Sequence, residues 1–268
     1  MKKAYAFALF FILLACKAYA KNQLIIDGST GVKPLVEALV KDFKKTHPQS
    51  IKIGSGLNPK DRIQALVENK IDIAMASHGV DIERLTDQGF KVHLFAKMAV
   101  VIGVNVKVNI DNISHQQLCD IYTGKTKNWQ KLGGKKVPIK PFVRPFDEVD
   151  TEVLVAQIPC FSRLLLSPDV KTKKKSGQMA KALSQTAGAI GITTLVRVTQ
   201  SDGTISALPI NGINPSSTNL INKRYPFTRD SFLITAKSPS PNVLRFLAYI
   251  YSEQGKKVIL ANSAVPSL

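Results

Sequence analysis

The sequence predicts an α/β protein, and three observations lead to that class. In the N-terminal third, short apolar segments alternate with segments whose apolar residues recur at helical spacing. Short polar turns that contain glycine connect the segments. The chain has 268 residues, of which 44% are hydrophobic and 21% charged, so its composition is globular and its length is sufficient for two lobes.

Three strands and two helices are predicted in this N-terminal third. The strands lie at 24–26, 51–53 and 71–76. One apolar helix face carries Leu35, Val36, Leu39, Val40 and Phe43, and a second helix, which begins near Pro59, carries Ile63, Leu66 and Val67. The strand–helix–strand–helix–strand order implies parallel strand pairing with right-handed crossovers.

The remaining two thirds continue the alternation of strands and helices. Strands or extended segments are predicted at 98–104, 137–143, 188–192 and 231–235. Helices are predicted after Ser114, at 150–157, at 177–185 and at 243–250. Ser114 and Gln117 have the spacing of a capping box, in which each side chain satisfies a backbone N–H of the other residue. Linker signals are weak, which fits lobes that are interleaved in the chain.

The first twenty residues are interpreted as a signal peptide. Lys2 and Lys3 precede an apolar run at 6–15, and Ala18-Tyr19-Ala20 forms a small-x-small cleavage site. In an alternative interpretation Leu13-Leu14-Ala15-Cys16 is a lipobox and Cys16 is lipidated. A third interpretation is that the segment is retained as a membrane anchor. In the first two cases the protein is exported, and the periplasm is the expected compartment. No later segment reaches the ~20 apolar residues of a membrane helix.

The formal net charge is +18, and it falls to +15 when the three lysines of the signal segment are removed. Export and the absence of a recognition-helix pattern argue against nucleic acid as the partner. The basic residues are densest at Lys171, Lys173, Lys174 and Lys175. This run is either a solvated loop or the source of a positive field that attracts anions.

Cys119 and Cys160 remain after signal removal, and an oxidising compartment would permit a disulfide between them. Sequence separation alone does not decide whether they pair. His47, His78, His93 and His115 lie far apart in sequence, so we expect no metal site and no cofactor. We expect no enzyme activity, because the chain shows no Ser-His-Asp order and no activated cysteine.

Three polar segments precede predicted helices, at 28–31, 54–56 and 147–151. Helix N-termini expose unpaired N–H groups at the positive end of the helix dipole, and glycine lets a ligand approach the backbone closely. Arg144, just before the third segment, can bind an oxyanion through two nitrogens. Each segment is also an ordinary helix cap, and Arg144 also suits a surface ion pair.

Several motifs occur along nearly the whole mature chain. The opening Ile25-Ile26-Asp27-Gly28-Ser29-Thr30, followed by Pro34-Leu35, resembles the start of the phosphate-binding receptors of ABC importers. The most specific blocks are Tyr122-Thr123-Gly124 with Asn128-Trp129 and Leu132-Gly133-Gly134, and Gly188-Ala189-Ile190-Gly191 with Tyr225-Pro226-Phe227-Thr228-Arg229. Gly54-Ser55-Gly56, 72–77 and 99–105 follow the family's order and spacing.

The resemblance implies a type II periplasmic-binding-protein fold, with two α/β lobes joined by two hinge strands and a ligand cleft between them. Lobe 1 would comprise 21–103 and 225–268, and lobe 2 would comprise 104–224. The crossings would lie near 100–105 and 231–235. The implied ligand is inorganic phosphate or a similar oxyanion, the implied partner is a membrane ABC permease, and a monomer is expected. By motif, the ligand contacts fall on Ser29, Thr30, Gly31, Ser55, Gly56, Ser77, Arg144, Asp150 and Thr151.

Two positions depart from the family pattern. Val149-Asp150-Thr151 stands where many members have Ser-Gly-Thr, so a hydroxyl is lost and a carboxylate is gained. His78 stands where an aspartate or arginine often occurs. A lost hydrogen bond to a charged group costs roughly 1.5–3 kcal/mol. The departures therefore keep a second interpretation open, a ligand-sensing or surface-interaction protein with a weakened or retuned anion site.

Overall fold

The computed structural model describes residues 23–77, 79–163 and 165–267. The predicted signal peptide, Cys16 and His78 lie outside these residues. Within them, the strands are β1 Gln23–Gly28, β2 Ser50–Ile53, β3 Ile73–Ser77, β4 Phe90–Asn105, β5 Lys140–Val143, β6 Lys171–Thr172, β7 Ala189–Thr194, β8 Ile205–Leu208, β9 Thr228–Ala236 and β10 Val265–Pro266. The α-helices are α1 Lys33–Phe43, α2 Pro59–Val67, α3 Ile82–Asp87, α4 His115–Tyr122, α5 Val149–Gln157, α6 Ser176–Gln185, α7 Leu195–Thr199, α8 Ser217–Ile221, α9 Pro241–Tyr251 and α10 Glu253–Ala261.

The strands form one sheet in the order β2-β1-β3-β9-β4-β7-β5-β6, and β8 and β10 also pair with β4. β1 lies parallel to β2 and β3, which confirms the parallel pairing predicted for the N-terminal third. β5 is likewise parallel to β6 and β7. The carboxyl ends of the parallel strands therefore lead into the helices whose first turns surround the candidate site.

β4 is long enough to belong to both halves of the sheet. Its residues from Phe90 to Ala99 pair with β9, whereas those from Val100 to Asn105 pair with β7 and β8. The chain returns through 225–227, where the Val100 N–H donates to the Phe227 carbonyl at 2.8 Å. The structure thus has the two-lobed α/β architecture that the sequence resemblance implies.

The return crossing lies earlier in the chain than expected. We expected it near 231–235, but Ser231 to Ile234 pair with β3, deep in the first half of the sheet. β9 begins at Thr228, so the change of lobe takes place in the three residues before it. The family resemblance implied a crossing at 231–235, but in this structure that segment is the buried centre of β9, between β3 and β4.

Each half of the sheet has its own hydrophobic core. In the first half, all five residues of the predicted apolar face of α1 are buried, and Phe43 packs edge-on against Phe246 with ring centroids 5.3 Å apart. In the second half, Trp129 is fully buried and its indole N–H donates to the Gly188 carbonyl at 3.0 Å. The predicted capping box of Ser114 and Gln117 is present. Val67 was expected on a buried face but is 60% exposed, because it is the last residue of α2.

Cys119 of α4 and Cys160 form a disulfide, with Cα atoms 6.3 Å apart. The bond fastens α4 to the 3-10 helix Pro159–Arg163.

In the described part of the chain no helix is long and apolar enough to cross a membrane. Nor do the described residues contain a cluster of three or more histidine, cysteine or acidic side chains that could hold a metal ion.

Candidate anion-binding cleft

A cavity of about 560 Å³ lies between the two halves of the molecule. The first half contributes Ser29, Thr30, Gly56, Leu57, Asn58, Pro59, Arg62, Ser77 and Gly79. The second half contributes Asp147, Glu148, Val149, Glu152, Lys174 and Lys175. Three basic and three acidic side chains line the walls, so their charges balance. The preference for a charged ligand must therefore come from the backbone and from groups behind the wall.

The first loop, Ser29 to Gly31, joins β1 to α1. The Ser29 N–H donates to the Met75 carbonyl at 2.9 Å, whereas the N–H groups of Thr30 and Gly31 have no partner among the residues that the structure describes. No side chain caps α1. Gly28 sits at φ +130°, and a Cβ there would lie 2.3 Å from the Met75 carbonyl oxygen, so the loop requires glycine at its start. The loop therefore presents open backbone donors at the start of an eleven-residue helix.

The second loop, Gly54 to Gly56, is tied to the first by Asp27. One carboxylate oxygen of Asp27 accepts from the Gly28 N–H at 2.7 Å and from the Gly56 N–H at 2.8 Å. Gly56 was predicted as a ligand contact and does line the cavity, but its N–H is already used by Asp27. Ser55 was predicted as a ligand contact but is exposed and does not line the cavity, whereas Ser77 is buried and lines it at the end of β3.

The three site residues predicted in the second half lie behind the cavity wall. Arg144, Asp150 and Thr151 are all at least 95% buried, and none of them lines the cavity. Arg144 donates from Nη1 to the Lys173 carbonyl at 3.0 Å, and its Nη2 lies 2.8 Å from Glu148. The Thr151 hydroxyl is buried and has no hydrogen-bond partner in the described chain.

Asp150 forms a buried ion pair that the sequence did not reveal. Its Oδ1 lies 2.7 Å from Nε of Arg229, a β9 residue only 1% exposed. Asp150 belongs to the second half and Arg229 to the first, so the pair bridges the halves beside the crossing. Arg229 is the last residue of the Tyr225 to Arg229 motif. Its place in that motif was visible in the sequence, but its partner was not.

The start of α6 also reaches across the cleft. Lys175 Nζ donates to the Ser55 carbonyl at 3.1 Å, and the Ser176 N–H donates to the Thr30 hydroxyl at 3.4 Å. Lys174 and Lys175 belong to the basic run for which the sequence left two interpretations open, and both line the cavity. Arg62 lines it from the opposite side, where burial lowers the pKa of its guanidinium. Sequence reasoning did not assign Arg62, Lys174 or Lys175 to the site.

Taken together, the cleft offers open backbone donors, hydroxyl groups and the guanidinium of Arg62, and the buried guanidinium groups of Arg144 and Arg229 do not line the cavity. These are hydrogen-bond donors, and they suit a small oxyanion better than an apolar or cationic ligand. Four helices, α1, α2, α5 and α6, begin at or within three residues of a side chain that lines the cavity. Their N-terminal dipoles add to the attraction of negative charge.

Comparisons with known proteins agree with this geometry. A 28% identical relative, over 250 residues and 91% of this chain, is the phosphate-binding protein PstS of Bacillus subtilis, 80% of which is covered. The crystal structure of a Clostridium perfringens protein with bound phosphate, assigned as a phosphate ABC transporter substrate-binding protein, superposes with a TM-score of 0.74 at 25% identity, covering 92% of this chain and 100% of that one. The periplasmic molybdate-binding protein of Azotobacter vinelandii shares the fold, with a TM-score of 0.63 at 16% identity over 91% of this chain and 100% of its own. The model of the PBP superfamily domain matches residues 17–254, and the chain belongs to that family.

Proposed function

We propose that this protein captures phosphate or a related oxyanion in the cleft and delivers it to a membrane ABC permease. The observation that carries the proposal is the convergence of four helix N-termini on one cavity between the lobes. Helix N-termini concentrate unpaired N–H groups and positive dipole ends, and anions settle there. The phosphate-binding function of the Bacillus subtilis relative supports the same ligand.

In this proposal the ligand contacts both lobes. Ser29, Thr30, Gly31, Ser55, Gly56 and Ser77 hold it from lobe 1, made of 21–103 and 225–268. Arg144, Asp150 and Thr151 act from lobe 2, made of 104–224. A ligand that touches both lobes stabilises the closed arrangement relative to an open one, so binding and hinge closure are coupled.

The proposal places the protein, as a monomer without catalytic activity, in the periplasm. The predicted signal at 1–20 provides export, with cleavage after Ala20 or lipidation of Cys16 as the two routes. The disulfide between Cys119 and Cys160 suits an oxidising compartment, since such bonds persist there and are rare in the cytosol.

The test is calorimetric titration of phosphate, with sulfate as the comparison anion, into protein that was unfolded and refolded to remove bound ligand. We expect phosphate binding in the micromolar range or tighter. Thr151→Val removes the orphaned hydroxyl without changing side-chain volume and should weaken binding roughly tenfold. Thr193→Val is the matched control, because Thr193 also has a buried hydroxyl without a partner in the described chain but lies within β7, paired with Val101 of β4, and not at the start of a helix.

A second function is favoured by one observation. Val149 lines the cavity where many family members have a serine, so that position supplies no hydroxyl to an anion. If the refolded protein releases no heat with phosphate or sulfate, the transport proposal fails. The sensing or surface-interaction function then becomes the better explanation of the same fold.

A further inference from the structure

Arg229 is a deeply buried residue whose guanidinium has N–H donors without a described hydrogen-bond partner. Its side chain is 1% exposed, and its Nε lies 2.7 Å from Asp150. All three guanidinium nitrogens are buried without a hydrogen-bond partner in the described chain; Nε is within ion-pair distance of Asp150, whereas Nη1 and Nη2 have no described ion-pair partner. Buried polar groups of native proteins are nearly always satisfied, and a buried charge without its partners is costly. The guanidinium therefore requires an acceptor that the described residues do not supply.

The position of these nitrogens identifies where that acceptor would lie. A Cβ placed on Gly31 would be 2.6 Å from Nη2 of Arg229 and 3.7 Å from the Ser29 hydroxyl. The guanidinium thus lies against the first loop, whose Thr30 and Gly31 N–H groups are open. Asp150 of α5 lies 2.7 Å from Nε of the same guanidinium. The unsatisfied terminal nitrogens of Arg229 therefore lie close to the open backbone donors of the first loop.

Arg144 differs from Arg229 in the use of its nitrogens. Its Nη1 donates to the Lys173 carbonyl, and its Nη2 contacts Glu148, the residue that precedes α5. Only Nε of Arg144 is buried without a partner in the described chain. These contacts fix the start of α5 and the segment before α6. Arg144 is therefore suited to positioning the second-lobe wall.

We propose that Arg229 is a second arginine of the anion site and that it holds the oxyanion through Nη1 and Nη2. The proposal rests on the proposed function above. Asp150 orients the guanidinium through Nε, which leaves the two terminal nitrogens to bind two oxygens of the ligand in the fork geometry typical of arginine and oxyanions. Gly31 leaves room for the guanidinium, because a Cβ there would lie 2.6 Å from Nη2 and one of the two would have to shift. The anion then joins the lobes at the same point as the ion pair.

The experiment compares arginine-to-lysine variants by calorimetry on refolded protein, with phosphate, sulfate and molybdate as probes. Arg229→Lys keeps the charge but removes the fork, and we expect a tenfold to hundredfold loss of affinity for the tightest-binding anion. The factor by which Arg144→Lys lowers the affinity should be at least five times smaller than the factor for Arg229→Lys. Arg224→Lys is the matched control, because Arg224 lies five residues before Arg229 in the chain and is exposed. The affinity of this variant should stay within twofold of that of the unmodified protein.

Two outcomes overturn the inference alone. One is an Arg229→Lys protein that is folded by thermal melting and binds within threefold of the unmodified protein. The other is a larger loss in Arg144→Lys than in Arg229→Lys. If Arg229→Lys does not fold, Gly31→Ala tests the same contact from the first loop. We expect this variant to lose anion affinity by tenfold or more. An affinity within threefold of the unmodified protein would contradict the role of Arg229. If the unmodified protein binds none of the three anions, the proposed function fails and this inference fails with it.

Discussion

Nζ of Lys175 lies 3.1 Å from the carbonyl oxygen of Ser55, although the two residues are 120 positions apart and belong to opposite halves of the molecule. The bond connects the start of α6 to the second loop. Beside it, the Ser176 N–H reaches the Thr30 hydroxyl of the first loop. These contacts link the lobes directly, so part of the free energy of closure comes from the protein and part from the ligand.

Lys175→Met should therefore weaken anion binding by about two- to fivefold, since an exposed hydrogen bond or ion contact is worth roughly 0–1 kcal/mol. The methionine keeps most of the apolar stem and removes the donor. Phosphate titration at low and at physiological salt measures the effect. Lys171→Met is the control, because Lys171 is exposed on β6 and does not line the cavity. Equal losses in the two variants would show that only the general positive field matters.

Asp150→Asn should reduce the discrimination between phosphate and sulfate. A carboxylate next to the site accepts a hydrogen bond from a protonated oxyanion and repels one that is fully ionised, whereas the amide repels neither. The amide oxygen can still accept from Arg229, so the guanidinium keeps its orientation. We expect the ratio of sulfate to phosphate dissociation constants to fall by about tenfold.

The matched control for this charge change is Asp169→Asn. Asp169 is an exposed acid of the same half, and it contacts Lys127 outside the cavity. Calorimetric titration of both anions into each variant gives the two ratios. An unchanged ratio in Asp150→Asn would contradict a role for this carboxylate in anion selection.

Reduction of the disulfide should destabilise the second lobe and leave the cleft intact. A crosslink between residues 41 positions apart contributes roughly 2–4 kcal/mol, mainly by restricting the unfolded chain. Urea unfolding of Cys119→Ser/Cys160→Ser should show this loss, whereas phosphate affinity should stay within twofold because neither cysteine lines the cavity. The unmodified protein should lose the same stability on reduction. A double variant as stable as the oxidised protein would argue against the bond in solution.

Stability at low pH should depend on Asp42, at the contact between α1 and the C-terminal helices. Hydrogen bonds from Lys45, Gln254 and Tyr249 lower the pKa of Asp42 from 3.8 to about 2. The folded state therefore favours the ionised form of Asp42 more strongly than the unfolded state does. The contribution of Asp42 to the free energy of unfolding is complete above about pH 4 and is lost as pH falls through about 2.

Asp42→Asn should therefore lower the free energy of unfolding by about 1 kcal/mol at pH 7, a figure reduced for solvent screening. The difference from the unmodified protein should shrink between pH 4 and pH 2. Urea unfolding across this range measures it, with the exposed residue Asp111 replaced by asparagine as control. A difference that is constant with pH would show that packing, and not the charge, is responsible.

Much of the fold could be predicted because local patterns and tertiary environment agree. The buried face of α1 and the Ser114 capping box are set by nearby residues, and both are present. The return crossing was misplaced because a family resemblance gives the approximate order of elements, whereas the residues at which the chain changes lobe depend on strand pairings such as that of Ser231 with Ser77. Val67 fits the helical period of α2, but the period does not say where the protein surface begins.

The site was predictable to the extent that it consists of helix starts. Polar residues after strands, such as Ser29 and Thr30, line the cavity as expected. The roles of Lys175 and Arg229 depend on contacts with Ser55 and Asp150 across the two lobes. Pairings over 120 and 79 positions follow from the topology, and no local spacing encodes them.

The position of β9 has a consequence for how the chain is made. β9 lies between β3 and β4, yet it is completed only at residue 236, more than 130 residues after β4 ends. During synthesis or export from the N-terminus, the edges of β3 and β4 that face β9 remain unpaired until the whole intervening lobe has emerged. The intervening lobe holds all its own strands by then and can fold as a unit. Maturation of the first lobe is therefore the late step, and an unpaired β3 edge is the surface that a chaperone would need to protect.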